Sequence, residues 1–542
     1  MSAPVQAWPE DFTARYRAAG YWRGETFPAM LRRQAQAQPD IVAVVDGDRR
    51  WTYGELNRRA DAHAAGFLAL GLLPGDRVVV QFGNVAEFFG VVFGLFRAGL
   101  IPVYALAAHR LAEVAHLARR SGAAAYMAGD RYAGFDYRPL AQALRAEVPT
   151  LRHVVMAGDA GVFTPLDACT GEDGLPGDPD PSAVAFLQIS GGSTGLPKLI
   201  PRTHDDYIYS FRASNGICGV TEKTVYLVAL PVAHNFPMSS PGHMGTLYAG
   251  GRVVLAPAPS PEVAFPLIAR EKVTLTGLVP PLALLWMQAA PGTGHDLSSL
   301  EVLQVGGAKF TPEAAKRVRP ALGCQLQQVF GMAEGLVNYT RLDDPDDTVI
   351  GTQGRPISDD DEVLVVDDLG RPVPEGTPGH LLARGPYTIR AYHDDPSANA
   401  RSFTTDGFYR TGDIVRRLPG GYLEVQGRAG DHINRAGEKI SAEEVEDHLI
   451  AHPGIFDAAM VSIPDPVLGE RSCAFVIPRQ APLKASEVKM FMRQRGIAEF
   501  KVPDQVVFVD AFETTAAGKV SRKELRARLR TQFLASNAET AS

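Results

Sequence analysis

Small, hydroxylated and flexible residues run up to a lysine between positions 190 and 198. Glycine lets backbone N–H groups approach an anion closely, hydroxyl groups add donors and lysine adds positive charge, so such a loop can surround phosphate oxygens. The order differs from a Walker loop, because the lysine follows Leu-Pro and no Ser or Thr succeeds it. The pattern predicts a phosphate-binding loop, with an ordinary chain turn as the alternative. Its residues are Ser190, Gly191, Gly192, Ser193, Thr194, Gly195, Leu196, Pro197 and Lys198.

Five further segments carry residues suited to nucleotide chemistry. Together with the loop, and in the same order, they resemble the signatures of the acyl-adenylate-forming superfamily. That superfamily includes acyl-CoA synthetases, luciferases and the adenylation domains of nonribosomal peptide synthesis, and the resemblance covers essentially the whole chain. The segments are Phe330-Gly331-Met332-Ala333-Glu334, Tyr409-Arg410-Thr411-Gly412-Asp413, Gly427-Arg428, Asn434-Arg435-Ala436-Gly437-Glu438-Lys439-Ile440 and Ala517-Gly518-Lys519.

The resemblance gives these segments roles at an ATP site. Glu334 would hold Mg²⁺ against the phosphates, since a hard cation prefers oxygen ligands, and Asp413 would accept hydrogen bonds from both ribose hydroxyls. Taken alone, these residues are equally typical of a surface carboxylate and a turn, and Arg428 of a surface ion pair. The implied ATP-binding residues are Ser190, Gly191, Gly192, Ser193, Thr194, Gly195, Lys198, Gly306, Gly307, Ala308, Val329, Gly331, Met332, Asp413, Arg428 and Lys519.

Lys519 is implied as the main catalytic residue, with Glu334 and Thr194 beside it. A lysine in a tail is by default solvated, but in the superfamily the matching lysine neutralises charge on the carboxylate and the α-phosphate. A carboxylate that attacks the α-phosphorus of ATP releases pyrophosphate and forms an acyl adenylate. Both reactants are anionic, so positive charge from Mg²⁺, Lys198 and Lys519 would screen their repulsion. No covalent enzyme intermediate is required.

The segment from Ala233 to Gly242 resembles the acid pocket of the aryl-activating branch, particularly that of enzymes acting on 2,3-dihydroxybenzoate in catechol siderophore synthesis. In that branch the asparagine bonds the ring 2-hydroxyl, the next aromatic flanks the ring, and the serine bonds the 3-hydroxyl. A serine built to meet a hydroxyl is left unpaired when the substrate lacks it, which ranks 2,3-dihydroxybenzoate first and salicylate second. The alternative is that Asn235 caps a turn and Ser240 starts a helix. The implied acid-binding residues are His234, Asn235, Phe236, Ser240 and Val337.

The acceptor implied by this branch is the phosphopantetheine thiol of an aryl carrier protein, with coenzyme A as the alternative. A basic helix is predicted from Ser521, carrying Arg522, Lys523, Arg526, Arg528 and Arg530. Such a helix could meet an acidic carrier, although arginines at this spacing usually form a solvated face. A catalytically inactive scaffold that keeps the fold is the alternative from another functional class.

Alternating strand and helix patterns predict the elements that position these residues. Apolar runs at Val78–Val80, Val184–Ile189, Val225–Leu230, Val253–Leu255 and Val302–Val305 indicate layered α/β units. Phe88–Phe96 predicts a buried core helix, and the Gly-, Asp- and Pro-rich segment Cys169–Pro181 predicts a surface linker.

A β-rich part is predicted after Pro356, with a strand at Val363–Val366, and a short α/β pattern resumes beyond Arg428, with a helix opening near Ser441. We therefore expect a large α/β N-terminal domain of layered subdomains plus a β-rich subdomain, over residues 1–429. A small, mobile α+β C-terminal domain over residues 430–542 would follow. Gly430 lies where relatives carry a polar hinge residue, so hinge stiffness is in question.

Composition is compatible with this scheme. With 542 residues, 45% hydrophobic and 21% charged, the chain reads as a globular protein of more than one domain. A net charge of −7 gives no reason to expect nucleic-acid binding. No membrane span or signal peptide is expected, and the four well-separated cysteines are expected to be reduced thiols in a cytoplasmic protein.

Overall fold

A mostly parallel sheet collects the apolar strands of the middle of the chain. The computed structural model describes residues 8–172, 174–190, 197–429, 433–435, 438–465, 469–479, 483–495, 497, 499–515, 520–522 and 524–529. Within these residues the largest sheet has nine strands, antiparallel at its edges and parallel between them. In spatial order the strands are Arg355–Pro356, Gly335–Tyr339, Gln325–Met332, Val302–Gly306, Leu275–Leu278, Val225–Val228, Arg252–Leu255, Val42–Asp46 and Arg49–Thr52.

A second sheet, of seven strands among the described residues, ends in the hairpin that carries the predicted phosphate loop. All of its pairs are parallel except that hairpin. In spatial order the strands are Leu199–Thr203, Val184–Ile189, Ile101–Tyr104, Arg77–Gln81, Ala125–Gly129, His153–Ala157 and Thr164–Pro165. Parallel sheets need both faces covered, which explains their continuous Val- and Ala-rich strands.

Helices cover both sheets. The very apolar helix Glu87–Arg97 lies in the core, where Gly94 packs against Ala60 and His63 of the helix Tyr53–Ala69. Within the described residues the remaining α-helices are Glu10–Ala18, Phe27–Ala37, Leu111–Ser121, Arg138–Glu147, His204–Cys218, Asn235–Ser239, Gly242–Ala249, Pro261–Glu271, Pro280–Ala289, Pro312–Ala315, Val318–Leu322, Asp346–Gly351, Pro396–Ser402, Ala442–Ile450 and Ala485–Gln494, and a C-terminal helix whose described residues are 522 and 524–529. No helix within the described ranges is both long and apolar enough to cross a membrane.

Two smaller sheets lie in the later part of the described chain. The first is antiparallel, with strands Glu362–Val366, Gly379–Arg384, Tyr409–Arg417 and Leu423–Arg428 in spatial order. The second contains Glu438–Ile440, Ile433–Arg435, Gly469–Pro478 and Ile455–Asp465, with Gln505–Phe508 parallel to Gly469–Pro478. A short hairpin pairs Arg131–Tyr132 with Phe135–Asp136.

Most predicted elements are confirmed. The layered α/β part, the β-rich part and the smaller α+β part all occur, the helix predicted near Ser441 begins at Ala442 with Ser441 as its N-cap, and all four cysteines are free and buried. The strand predicted to reach Leu230 ends at Val228. The division at residues 429 and 430 stays a prediction, and Gly430 lies outside the described residues.

Two surface predictions are wrong in part. The linker predicted from Cys169 to Pro181 begins in the core, since Cys169 is buried and its carbonyl oxygen lies 3.0 Å from His63 Nδ1. The basic C-terminal helix is not simply a solvated face, because Arg522 donates to both carboxylate oxygens of Glu446 at 2.8 and 2.9 Å. Leu525 and Leu529 of this helix are buried, whereas Lys523 and Arg530 lie outside the described residues.

Candidate active site

A hairpin holds both ends of the predicted phosphate loop. The strands Val184–Ile189 and Leu199–Thr203 are antiparallel, and beyond them the Ser190 N–H donates to the Lys198 carbonyl at 3.0 Å while the Lys198 N–H donates to Ser190 Oγ at 3.0 Å. His116 Nε2 lies 3.0 Å from the Pro197 carbonyl oxygen. Gly191, Gly192, Ser193, Thr194 and Gly195 lie outside the described residues, so their predicted phosphate contacts stay predictions.

Glu334 and Lys198, from different sheets, meet on one tyrosine. The Tyr392 hydroxyl donates to Glu334 Oε1 at 2.8 Å and lies 3.1 Å from the Tyr409 hydroxyl. Lys198 Nζ lies 4.2 Å from the centroid of the same ring, a cation–π distance. Burial and the neighbouring Glu334 carboxylate raise the pKa of Tyr392, so its hydroxyl keeps its proton and donates. The site thus places a buried carboxylate and a cation beside the base of the loop.

Backbone contacts fix the turn that carries Glu334. The Arg202 guanidinium donates to the Ala333 carbonyl at 2.7 Å and to the Tyr387 carbonyl at 3.0 Å. Arg202 is itself 2% exposed and paired with Asp206 at 2.8 Å. Gly335 has φ +154°, and a Cβ atom there would lie 2.4 Å from Thr388 Cα. Only glycine fits this approach, so the Glu334 carboxylate is set by its backbone as well as by Tyr392.

Asp413 and Arg428 face each other across two antiparallel strands. They are direct cross-strand partners, and Arg428 Nε lies 2.9 Å from Asp413 Oδ1. Asp413 is 6% exposed, whereas the Arg428 side chain is 58% exposed. The ion pair considered as the alternative for Arg428 is therefore present, and its partner is the predicted ribose-binding residue Asp413. The nucleotide-binding roles of both residues stay predictions.

The predicted adenine segment lies at the ends of two parallel strands. Gly306 ends the strand Val302–Gly306 and pairs with Val329 of the neighbouring strand, and Gly307 follows with φ +85°. Gly331 lies against Val337, since a Cβ atom on Gly331 would be 3.2 Å from Val337 Cγ2. Residues predicted to contact ATP and the acid therefore share one edge of the nine-stranded sheet; Ala308 and Met332 extend it.

A short helix, Asn235–Ser239, presents the predicted acid-binding residues. His234 is its N-cap, with Nδ1 accepting the Phe236 N–H at 3.2 Å, so Asn235 is not the cap. Ser240 ends this helix rather than starting the next, which begins at Gly242. Asn235 Oδ1 accepts a hydrogen bond from the Tyr207 hydroxyl at 2.9 Å. Both alternative structural roles proposed for Asn235 and Ser240 are thereby wrong.

Phe236 lies on a floor made by two glycines. A Cβ atom on Gly277 or Gly306 would be 3.2 or 3.3 Å from Phe236 Cζ. Phe236 belongs to the same buried cluster as Val329 and Val337. Because glycine has no side chain, the Phe236 ring can lie close to the sheet. The ring therefore forms a flat apolar surface against these strands.

Ser240 and Val337 are held from behind by buried tyrosines. Ser240 is 4% exposed and lies beside Tyr339, whose hydroxyl donates to Ser214 Oγ at 3.1 Å. The Val337 N–H donates to the Tyr387 hydroxyl at 3.1 Å, and that hydroxyl donates to Asp361 Oδ2 at 2.6 Å. Burial raises the pKa of Asp361 to about 8.

Comparison with known proteins identifies the family of this chain. The family model described as AMP-binding enzyme matches residues 31–393, and the model described as AMP-binding enzyme C-terminal domain matches residues 444–519. This chain belongs to the AMP-binding enzyme family. Two thirds of its length lies in the first match alone, which confirms the resemblance inferred from the motifs.

Relatives of this AMP-binding enzyme include two adenylating ligases. The chain is 57% identical to 2,3-dihydroxybenzoate-AMP ligase of Bacillus subtilis (strain 168), covering 97% of this chain and 98% of the relative. It is 48% identical to salicyl-AMP ligase / salicyl-S-ArCP synthetase of Mycobacterium tuberculosis, covering 95% and 93%. The Mycobacterium smegmatis MbtA apo structure superposes with a TM-score of 0.76 at 48% identity, covering 96% of this chain and 98% of that one. The expected fold class is confirmed.

Sequence reasoning missed several residues of this AMP-binding enzyme: Tyr392, Arg202, Tyr207, Tyr387 and Asp361. None lies in a segment that carries the resemblance, and each acts through a bond to a residue distant in sequence. No signal in the sequence alone could have found these bonds. The nearest sequence signal is Tyr409, which begins the segment Tyr409–Asp413 and whose hydroxyl lies 3.1 Å from that of Tyr392.

The predicted catalytic lysine of this AMP-binding enzyme, Lys519, lies outside the described residues. Its flanks are described: Thr514 and Val520 form an antiparallel bridge, and the Ser521 N–H donates to the Glu513 carbonyl at 2.8 Å. Lys519 therefore falls between two bridged positions. Its catalytic role stays a prediction.

Proposed function

We propose that this enzyme activates 2,3-dihydroxybenzoate with ATP, releasing pyrophosphate, and then transfers the aryl group to the phosphopantetheine thiol of an aryl carrier protein. The reaction would serve siderophore biosynthesis in the cytoplasm. The observation that carries the proposal is the pocket edge itself. Phe236 and Val337 belong to one buried cluster, Asn235 and Ser240 flank Phe236 on the short helix, and Val337 lies in the same hairpin as Glu334. The 57% identical relative is named for the same acid.

In the proposed adenylation, a substrate carboxylate oxygen bonds to the α-phosphorus while the bond from that phosphorus to the bridging oxygen breaks. Pyrophosphate carries the electron pair away. Lys198 would stabilise negative charge from the hairpin side, and Lys519 and Thr194 would do so from segments outside the described residues. Fixed positive charge at such a site lowers the barrier because it needs no reorganisation during the reaction.

Glu334 fits the role of a Mg²⁺ ligand. Its Oε1 accepts one hydrogen bond from Tyr392, and a carboxylate has further acceptor sites for a hard cation. No group of three His, Cys, Asp or Glu side chains suited to a metal occurs in the described part of the chain, so ATP phosphate oxygens would complete the coordination. When bound, Mg²⁺ would offset charge on the phosphates.

For the ribose, Asp413 would accept hydrogen bonds from the 2′- and 3′-hydroxyls. Arg428, 2.9 Å from Asp413, would hold that carboxylate in place. Gly306, Gly307 and Ala308 would border the adenine, where absent or small side chains leave space for a flat base. The assignment of Asp413 and Arg428 is supported by their cross-strand pairing, and that of Gly306 and the residues after it by their place at the end of a parallel strand.

Selection of a catechol would come from Ser240 and Val337. The Ser240 hydroxyl would bond the ring 3-hydroxyl, and the moderate size of Val337 would leave room for it. Salicylate is the second candidate, because a relative named salicyl-AMP ligase is 48% identical over 95% of this chain. Loss of one buried hydrogen bond costs about 1–3 kcal/mol, which would separate the two acids by roughly 5- to 150-fold.

In the second step, a thiol sulfur would attack the acyl carbon and AMP would leave with the electron pair of the broken acyl–oxygen bond. The thiol proton would be released to solvent. The carrier protein as acceptor is supported by the name salicyl-S-ArCP synthetase of one relative. Coenzyme A is the competing acceptor.

Pyrophosphate exchange across an acid panel tests the proposal. We expect 2,3-dihydroxybenzoate to give the highest kcat/KM, salicylate to follow, and fatty and amino acids to be inert. Exchange with fatty or amino acids while both aryl acids are inert would overturn it. Thioester formation with a phosphopantetheinylated aryl carrier protein should exceed that with free coenzyme A; the reverse would identify an aryl-CoA ligase.

A further inference from the structure

Tyr207 is a buried tyrosine that reaches the acid pocket from a rigid helix. It lies in the first turns of His204–Cys218, whose start is fixed by reciprocal hydrogen bonds between Thr203 and Asp206. Its ring is 1% exposed, packs edge-on against Phe186 at 4.7 Å, and lies 4.8 Å from the Arg202 guanidinium carbon. Its hydroxyl therefore has a fixed position, 2.9 Å from Asn235 Oδ1.

The proton of the Tyr207 hydroxyl is directed toward Asn235. The bond between them joins the Tyr207 hydroxyl to an amide oxygen, which can only accept. A tyrosine hydroxyl has a single proton to donate. That proton therefore lies in the bond to Asn235 Oδ1.

The Asn235 amide consequently has one orientation. An amide has a carbonyl oxygen that accepts and an NH₂ group that donates. Because Tyr207 occupies the oxygen, the NH₂ group is the part left for a substrate. Within the described residues no hydrogen bond of Asn235 Nδ2 to another side chain or backbone group is formed.

We propose that Tyr207 is a positioning residue that fixes Asn235 as a hydrogen-bond donor, so that the pocket selects acids whose ortho substituent presents a lone pair. This inference rests on the proposed activation of an aryl acid. It makes 2-hydroxybenzoic acids the favoured substrates and disfavours 2-aminobenzoic acids of the same size.

The distinction follows from proton counting on the substrate. An ortho hydroxyl has one proton, which bonds the adjacent carboxylate, so its outward side is an acceptor that matches the Asn235 NH₂ group. An ortho amino group has two protons, one toward the carboxylate and one outward. The outward N–H meets the Asn235 NH₂ group donor to donor, and both are left unpaired.

Two substitutions on the same helix form the test. Tyr207→Phe removes only the hydroxyl that fixes Asn235. Tyr209→Phe removes a buried hydroxyl two residues along, which donates to Ser358 Oγ at 2.7 Å. The kcat/KM for salicylate and for 2-aminobenzoate is measured by pyrophosphate exchange, with 2,3-dihydroxybenzoate as the reference acid.

We expect the native enzyme to prefer salicylate over 2-aminobenzoate by about tenfold or more. In Tyr207→Phe the amide is free to turn, so this preference should fall by about tenfold, with the change in KM rather than kcat. Tyr209→Phe should keep the native preference. If Tyr207 acted only in packing, Tyr207→Phe would lower kcat/KM equally for both acids. An unchanged ratio of the two kcat/KM values would therefore overturn the inference.

Asn235→Asp provides a second, independent variant if Tyr207→Phe does not fold. The introduced carboxylate still accepts from Tyr207 but has no donor for the pocket. The preference should therefore reverse toward 2-aminobenzoate, and equal losses for both acids would contradict the inference. If the native enzyme activates neither salicylate nor 2,3-dihydroxybenzoate, the proposed function itself fails; activity with an unchanged ratio defeats only the role of Tyr207.

Discussion

At the residue scale, the side chains proposed to contact the aryl ring are fixed to different degrees by the chain around them. Asn235 Oδ1 accepts a hydrogen bond from the Tyr207 hydroxyl, and Ser240 lies beside Tyr339, whose hydroxyl donates to Ser214. Val337 contributes only an apolar surface and a backbone N–H bonded to Tyr387. Donor and acceptor positions in the pocket are thus set by tyrosines behind it.

Ser240→Ala tests the proposed contact with the ring 3-hydroxyl. The kcat/KM for 2,3-dihydroxybenzoate should fall roughly 5- to 30-fold, corresponding to about 1–2 kcal/mol for one buried hydrogen bond. Salicylate has no 3-hydroxyl and should change less than about twofold. Ser121→Ala is the control, since Ser121 is equally buried but bonds the Leu117 carbonyl in another part of the molecule. Equal losses for both acids in Ser240→Ala would contradict the assignment.

At the element scale, the hairpin of strands Gln325–Met332 and Gly335–Tyr339 carries residues proposed for both the ATP site and the acid site. The turn at Glu334 lies between two antiparallel strands, and the carbonyl groups on either side of it are engaged by Arg202 and by the Ile389 N–H. A shift of this turn would move Glu334 and Val337 together. The proposed ATP site and the proposed acid site are therefore mechanically linked through one hairpin.

Gly335→Ala should disturb this hairpin strongly. The added Cβ would lie 2.4 Å from Thr388 Cα at φ +154°, so we expect a loss of roughly 2–4 kcal/mol from overpacking and backbone strain. Gly216→Ala is the matched control: Gly216 lies in a helix with nothing within 4 Å of its added Cβ, and alanine should leave stability unchanged or raise it slightly. Urea unfolding measures both; similar midpoints for the two variants would disprove the close approach.

Asp361, beneath Tyr387, should make stability depend on pH. Burial raises its pKa from 3.8 to about 8, so the folded protein keeps a proton that the unfolded chain releases. Its contribution to stability is therefore complete below about pH 4 and is lost as pH rises through about 8, with a slope of up to about 1.4 kcal/mol per pH unit. Asp361→Asn cannot ionise and should flatten the pH dependence of the urea midpoint between pH 6 and 9.

The control for this measurement is Asp296→Asn. The Ser298 and Lys272 contacts lower the pKa of Asp296 to about 2, which is outside the range of pH 6 to 9. The slope of the urea midpoint against pH should therefore be the same in Asp296→Asn as in the native protein. Burial also raises the pKa of Asp457 to about 7, so the slope in Asp361→Asn should shrink without vanishing. An unchanged slope in Asp361→Asn would show that Asp361 is ionised in the folded protein.

At the scale of the whole molecule, the C-terminal part packs on itself and on the β-rich sheet. Ser441 Oγ donates to the Gln426 carbonyl at 2.7 Å, and Glu446 accepts from Arg522 while its Oε1 also accepts the Met460 N–H at 2.6 Å. Arg522 thus ties the C-terminal helix to the helix that follows Ser441. The lysine proposed for catalysis lies three residues before Arg522.

Arg522→Ala should loosen this attachment. Arg522 and Glu446 are 22% and 11% exposed, so we expect a local loss of about 1–2 kcal/mol, between the values for exposed and buried pairs. Hydrogen exchange of residues 524–529 should quicken about tenfold, and kcat for adenylation should fall several-fold. Arg528→Ala, at an exposed position of the same helix, should change neither the hydrogen exchange nor kcat. Equal effects of the two substitutions would show that the positive charge of the helix, and not the pair with Glu446, holds this helix in place.

Much of the candidate site could be predicted because its chemistry lies in contiguous segments. Small residues before Lys198, the carboxylate after the strand ending at Met332, and Asn235 to Ser240 are each readable from local order. The partners of these residues could not be predicted. Tyr392 is 58 positions from Glu334 and Tyr207 is 28 positions from Asn235, and no local pattern encodes such bonds.

The sequence by itself determined the family, the layered α/β architecture and the residues proposed for adenylation, because strand periodicity and phosphate-binding order are properties of short segments. Only the tertiary structure decided which group faces which. It placed the Lys198 ammonium and the Glu334 carboxylate on one tyrosine, paired Asp413 with Arg428, and turned the Asn235 oxygen toward Tyr207. Hydrogen-bond direction depends on partners brought together by folding, so the polarity of the acid pocket becomes visible only in three dimensions.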